Sequence, residues 1–174
     1  MTGKTLSTVG HSGFVEPIGI SADRKGDIYV ADNGTRSIFC FDLNGEYKYT
    51  IKRESFKLLG GIVTPGEKCI VVADTALHIM KETENAQKLA SQEIKVNSQG
   101  RFAGVAVDDF GNCIAIRTEK TKSVIQIFKD NKILSTIDSH DSKLKRPSDI
   151  CVIDSNHILV VDLGNNCLKQ YRYR

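Results

Sequence analysis

One spacing recurs four times along this chain and limits what it can fold into. Pro17-Ile18-Gly19-Ile20 leads to a polar turn at Gly26-Asp27, then to the apolar run Ile28-Tyr29-Val30-Ala31, which ends on Asp32. The pattern returns as Leu59-Gly60-Gly61-Ile62 with Cys69 to Asp74, and as Phe102-Ala103-Gly104-Val105 with Cys113 to Arg117. It returns last as Pro147-Ser148-Asp149-Ile150 with His157 to Asp162. From Gly19, Gly61, Gly104 and Asp149 to Asp32, Asp74, Arg117 and Asp162 the step is 13 residues each time, and successive copies lie 42, 43 and 45 residues apart. A period of this size marks stacked units, none of which can bury its apolar face alone.

Within each copy the apolar runs are short and bounded by Gly, Asn and Asp, which reads as antiparallel strands with tight turns. The first copy predicts strands Ile18–Ser21, Ile28–Asp32, Ser37–Phe41 and Glu46–Ile51, with positive-φ turns at Gly26-Asp27, Asn33-Gly34 and Asn44-Gly45. The second predicts its third strand at Leu77–Met80 and its fourth within Lys88–Val96; a helix over 81–93 is the weaker reading, because the repeat requires a strand there. The third predicts Val124–Phe128 and Lys132–Ile137. The fourth stops after its third strand, Cys167–Tyr173, while residues 4–9 read as a strand with no repeat of their own. Four short antiparallel strands per period make one propeller blade. The expectation is therefore one all-β domain, 1–174, of four repeats (14–51, 56–96, 99–137 and 144–174), with strand 4–9 completing the last blade against 167–173. Phe14, Phe56 and Leu144, and again Phe41, Phe128 and Tyr171, occupy matching places and read as core between blades.

Bulk properties narrow the function classes. Hydrophobic residues make up 40% and charged residues 26% of the chain, as in globular domains. No apolar run approaches the roughly 20 residues of a membrane helix. All five cysteines fall in strand-like runs without CxxC spacing, so buried, reduced thiols and a cytoplasmic setting are expected.

Pro-x-Gly-Ile, a Gly turn, Ile-Tyr-Val-Ala-Asp-Asn-Gly-x-Arg-x-Ile and Phe-Asp-x-x-Gly over residues 17–45 closely resemble the NHL repeat. Residues 147–171 resemble it well; 59–80 and 102–128 are degenerate, with Arg117 in the place of the acid. The resemblance implies a β-propeller. NHL propellers most often have six blades, so the four seen here imply either a closed four-bladed ring or the C-terminal part of a six-bladed one. The ending looks like that of tripartite-motif proteins, in which an upstream RING makes a ubiquitin ligase and the NHL propeller selects substrates or, in some members, RNA. Those upstream modules are not in these residues.

No catalytic constellation is evident. Ser12 in Gly10-His11-Ser12-Gly13 lacks the Gly-x-Ser-x-Gly of a nucleophile elbow. Gly60-Gly61 does not open a helix, as a phosphate loop would. His11, His78, His140 and His157 have no ligand spacing, so neither a metal nor a cofactor is expected, and an NHL-type lyase ranks last. Asp32, Asp74 and Asp162 read as acceptors for backbone N–H groups of their own turns.

Charge is the informative signal. In a blade, the loops between strands two and three and those joining one blade to the next lie on one rim. Those segments carry Arg36, Lys52, Arg53, Lys57, Arg101, Lys120, Lys122, Lys143, Lys145 and Arg146 against three acids, Glu54, Glu119 and Asp141. The loops of the other rim are predominantly acidic. The step from the repeat-end acid to the Phe41 position also varies, from 6 to 11 residues, which places loop variation on the basic rim. The expectation is a non-catalytic module recognising a protein substrate or adaptor through this rim. The alternative is single-stranded RNA, which calls for aromatic platforms beside the basic residues, and Phe56 is the sole aromatic in those loops.

Overall fold

The computed structural model describes residues 8–66, 69–82, 89–95, 100–138 and 141–174. Among the described residues, fifteen strands form four antiparallel sheets in chain order. Blade 1 contains β1 (Pro17–Ala22), β2 (Ile28–Asp32), β3 (Ser37–Phe41) and β4 (Tyr47–Lys52). Blade 2 contains β5 (Ile62–Gly66), β6 (Cys69–Ala73), β7 (Leu77–Glu82) and β8 (Leu89–Ile94). Blade 3 contains β9 (Arg101–Val107), β10 (Cys113–Thr118), β11 (Ser123–Lys129) and β12 (Lys132–Ile137). Blade 4 has three strands, β13 (Pro147–Val152), β14 (His157–Asp162) and β15 (Cys167–Arg172), with a short 3₁₀ turn at Leu163–Asn165. These are four blades of a β-propeller. Strand β8 settles residues 89–94 as strand, not helix.

Period-two alternation gives each blade two apolar faces, and blades stack face to face. One cluster joins blades 1 and 2 through Ile38, Ile62 and Met80; a second joins blades 2 and 3 through Leu77, Val105 and Phe128; a third joins blades 3 and 4 through Ile125, Ile150 and Ile158. Among the described residues no cluster joins blade 4 to blade 1.

The inner strands explain the recurring glycine. Gly61 N–H donates to Ala103 O at 2.7 Å across the blade 2–blade 3 boundary. A Cβ on Gly19 would lie 2.8 Å from Gly60 O, and one on Gly104 would lie 2.8 Å from Asp149 Cα. Each glycine therefore admits the next blade's backbone. The fourth copy carries Asp149 in that place.

Four expectations change. Gly26 and Gly45 adopt positive φ as anticipated, but in the Asn33-Gly34 turn the left-handed residue is Arg36 (φ 52). There Asp32 accepts from Thr35, and this delays the left-handed residue to the end of the turn. Of the expected closing strand, residues 4–7 lie outside the described residues. Thr8 and Val9 are in no strand, and Val9 packs against Gly45 of blade 1, where a Cβ would collide with it. Cys40 and Cys113 are buried, but Cys151 and Cys167 are exposed, Cys167 beside Lys143, Lys145 and Lys169; all five are free thiols. Lastly, the connections 33–36, 74–76, 119–122 and 163–166 are all short, because the extra length of the third copy extends β10 and β11 instead of the turn. Among the described residues no helix is long and apolar enough to cross a membrane.

Candidate functional site: the basic rim

Antiparallel order places the β2–β3 turns, their counterparts in the other blades and the connections between blades at the same end of the sheets. All ten basic residues therefore share one rim. Arg36, Lys52, Lys57, Arg101, Lys120, Lys122, Lys143, Lys145 and Arg146 are exposed, and Arg53 is half-buried. Within the rim they form separate groups. Lys143 and Lys145 border an open cleft of about 560 Å³, together with Leu144, Asn165, Cys167 and Lys169. Arg101 and Arg146 stand beside Thr118, Ser148 and Asp149 at a central cavity of about 610 Å³ lined by the inner strands of all four blades. Arg36, Lys52, Arg53 and Lys57 belong to the blade 1–blade 2 sector, and Lys120 and Lys122 to the blade 3 hairpin tip. Lys57 Nζ is drawn back onto Glu54 O at 2.9 Å.

Buried carboxylates hold this rim in place. Asp32, Asp74 and Asp162 are fully buried at the ends of their second strands. Asp32 Oδ2 accepts the backbone N–H groups of Val15 (2.8 Å) and Glu16 (3.0 Å), and Oδ1 accepts the backbone N–H (2.8 Å) and the hydroxyl (3.0 Å) of Thr35. Asp74 accepts from Lys57 N (2.7 Å), Leu58 N (2.6 Å) and Thr75 N (2.5 Å). Asp162 accepts from Lys145 N (2.9 Å) and Asn165 Nδ2 (2.7 Å). These acids do more than close their own turns: each ties down the segment leading into its blade, and in blades 2 and 4 that segment carries rim lysines. Burial by itself would raise all three carboxyls, but the hydrogen bonds outweigh it and hold them below the usual carboxylate range.

The sequence reading missed the nitrogen-bearing side chains that complete this arrangement. Lys169 Nζ sits 2.9 Å from Asp162 Oδ2 and donates to the carbonyls of Ser142 and Lys143, both at 2.9 Å. Its partial desolvation is outweighed by the bond to Asp162, which raises its pKa. In blade 2 the corresponding place holds His78, with Nε2 3.3 Å from Asp74 Oδ2. Register proves the equivalence, since Lys169 pairs with Val160 as His78 pairs with Val72. Unequal turns hide it in the sequence: His78 follows its acid by 4 residues, and Lys169 follows its acid by 7.

Blade 3 is built differently. Arg117, buried where the acid should be, stacks over the Phe102 ring at 5.0 Å and approaches Glu119 at 3.9 Å. Burial lowers its pKa, and Glu119 works in the opposite direction. The other histidines have structural partners: His11 packs on Phe39 (5.0 Å) and Tyr47 (4.7 Å), and His157 Nδ1 meets Asp154 at 3.0 Å. His140 lies outside the described residues. Among the described residues no cluster of three or more His, Cys, Asp or Glu could hold a metal ion. Phe56 and Leu144 are buried as expected, whereas Phe14 is half-buried.

Comparison with known proteins agrees with this architecture. The NHL repeat model matches residues 14–41 and 144–171, which lie in blades 1 and 4. No curated protein matches the chain. Among solved structures, the chain is similar to a protein of unknown function from Bacteroides caccae, with a TM-score of 0.70 and 13% identity over 94% of this chain and 59% of that one. It is also similar to virginiamycin B lyase from Staphylococcus aureus (TM-score 0.65, 15% identity, 91% and 56% coverage). A third is a β-propeller domain from Myceliophteria thermophila (TM-score 0.69, 10% identity, 91% and 54% coverage). At these identities the likeness is one of fold. The chain spans a little over half the length of each of these structures. Two of its four blades thus match the NHL repeat, on a propeller scaffold.

Proposed function

We propose that this chain is a non-catalytic recognition module that captures an acidic protein segment on its basic rim, in the manner of a substrate-recruiting propeller of a ubiquitin ligase. One observation carries the reading: ten basic residues share one rim, and in blades 1, 2 and 4 buried carboxylates fix the backbone of the loops there. Preorganised loops lose little entropy when a partner binds, and a field of one sign speeds encounter with an oppositely charged partner. Binding is expected to weaken as salt rises.

The test replaces Lys143, Lys145 and Arg146 together with Glu. The bracing bonds here use the backbone N–H of Lys145 and the backbone carbonyl of Lys143, so the side chains can change while the loop stays. With an acidic peptide as probe, the triple variant is expected to lose binding and keep its unfolding midpoint. Unchanged binding overturns the assignment. Equal or tighter binding of a single-stranded oligoribonucleotide, with a steep salt dependence, would favour RNA as the partner.

A further inference from the structure

Blades 1 and 2 present different side chains at the same place on the face toward the following blade. Tyr29 and Val71 each lie three residues before the acid that ends the second strand, and each belongs to the cluster shared with the next blade. Across the sheet Tyr29 pairs with Cys40, and Cys40 with Tyr49. Val71 pairs with Ile79, and Ile79 with Gln92. Two phenol rings of blade 1 are thus replaced in blade 2 by an isopropyl group and an amide. Tyr29 is buried, in one cluster with Ile62 and Ile70 of blade 2. Beside Val71, Ile79 and Gln92, by contrast, a cavity of about 370 Å³ lies between blades 2 and 3.

We propose that this cavity binds a small apolar monocarboxylate, with its hydrocarbon part between the blades and its carboxylate at Lys81 and Lys129. The volume lies above the lower bound, roughly 300 Å³, of small-molecule pockets. Val71, Ile94 and Phe128 make buried apolar walls. Cys113, also in the wall, has its thiol pushed up to about 12 by burial, so it stays neutral and the deep part presents no charge. The lining residues come from the ends of the strands on the acidic rim, where β6 and β10 begin and β7 and β11 end. Charge is locally reversed there: among the described lining residues, Lys81 and Lys129 stand against Asp130.

Both lysines are placed to meet an anion. Burial raises the Cys69 thiol and the Lys81 charge opposes that rise, so Lys81 acts on the cavity wall. Lys129 precedes a two-residue turn in which Asp130 (φ 47) and Asn131 (φ 65) are both left-handed, and this tight hairpin fixes its place. A bare anion would leave the apolar walls uncovered, and a bare hydrocarbon would leave the lysines without a counter-charge. A molecule with one apolar and one anionic end satisfies both. The cavity lies at the opposite end of the sheets from the basic rim, so its ligand is independent of what that rim captures.

The experiment is calorimetric titration of the 174-residue chain with octanoate up to about 1 mM, with acetate as the charge-only probe and 1-octanol as the chain-only probe. Octanoate is expected to bind, octanol more weakly, and acetate not at all. Val71→Tyr restores the ring that blade 1 carries and should lower octanoate affinity by about tenfold or more. Gln92→Tyr, at an exposed position, narrows the same gap and should act in the same direction even if the Val71 variant does not fold. Lys81→Met should weaken octanoate by about tenfold, the worth of one charged hydrogen bond, and leave octanol unchanged. Bound octanoate should slow alkylation of half-buried Cys69 by iodoacetamide but not that of exposed Cys151 and Cys167, as read by peptide mass mapping. Absence of octanoate binding overturns the proposal, as does acetate binding as tightly as octanoate. Binding indifferent to both tyrosine substitutions, or without effect on Cys69, overturns it equally.

Discussion

The two rims use the same side chain in opposite ways. On the acidic rim an aspartate at the end of a strand accepts N–H groups two to four residues ahead. Asp23 takes those of Lys25 and Asp27, Asp42 those of Asn44 and Glu46, and Asp154 those of Asn156 and His157. On the basic rim the aspartate reaches back 16 or 17 residues to the segment leading into its blade. The first kind stabilises a turn that forms locally. The second fastens two parts of a blade together in a place closed to water, so its loss leaves several N–H groups unsatisfied at once. Connections on the basic rim can thus carry like charges and still keep one conformation, because their order comes from buried carboxylates beneath them.

The largest expected effect comes from removing one of those carboxylates. Asp74→Ala strips acceptors from three backbone N–H groups and leaves His78 buried beside the gap, at a cost of about 3 kcal/mol. Asp162→Ala, which strands Lys169, should cost a similar amount. Urea titration would show this as a lower midpoint at constant slope. If Asp42→Ala proves equally costly, the contrast between the rims is wrong.

Acid should act next most strongly. Asp32, Asp74 and Asp162 are held below the ordinary carboxylate value in the folded chain. A carboxyl of that kind contributes stability that is fully present above its unfolded value of about 3.9 and is withdrawn as pH falls through the lower folded value. Stability should decline as pH drops below about 5. Asp162→Asn should flatten that decline, and an unchanged slope would show that Asp162 does not carry it.

Residue patterning made the blades legible and left the bracing hidden. The short apolar runs Ile28–Asp32 and Ser37–Phe41, with Gly26 and Gly45 at the turns, are local information, and strand pairing follows from them. The bond from Asp74 to Lys57 joins residues 17 apart in different elements, and composition carries no trace of it.

The acidic rim contains an exception that sharpens the contrast. Asp108 closes its own turn through Phe110 N and Asn112 N, yet its Oδ2 also accepts the Tyr173 hydroxyl at 3.0 Å, 65 residues away. Partial burial and that bond push the Tyr173 phenol up to about 12. Tyr173→Phe should cost about 1 kcal/mol, the usual net worth of one hydrogen bond, and should remove one late-ionising phenol from an alkaline titration of the tyrosines.

The smallest effect belongs to the exposed ion pair of the same rim. Lys48 Nζ lies 2.6 Å from Asp27 Oδ2, but the lysine side chain is 40% exposed and the pair is open to salt. Asp27 anchors no connection between blades: its own backbone N–H is held by Asp23, and its carboxylate serves Lys48. Lys48→Ala should therefore cost at most about 0.5 kcal/mol, and less as ionic strength rises. A salt-independent loss approaching that of Asp74→Ala would mean that the acidic rim, too, depends on charge for its order, and the division between locally closed and long-range braced loops would fail at its simplest point.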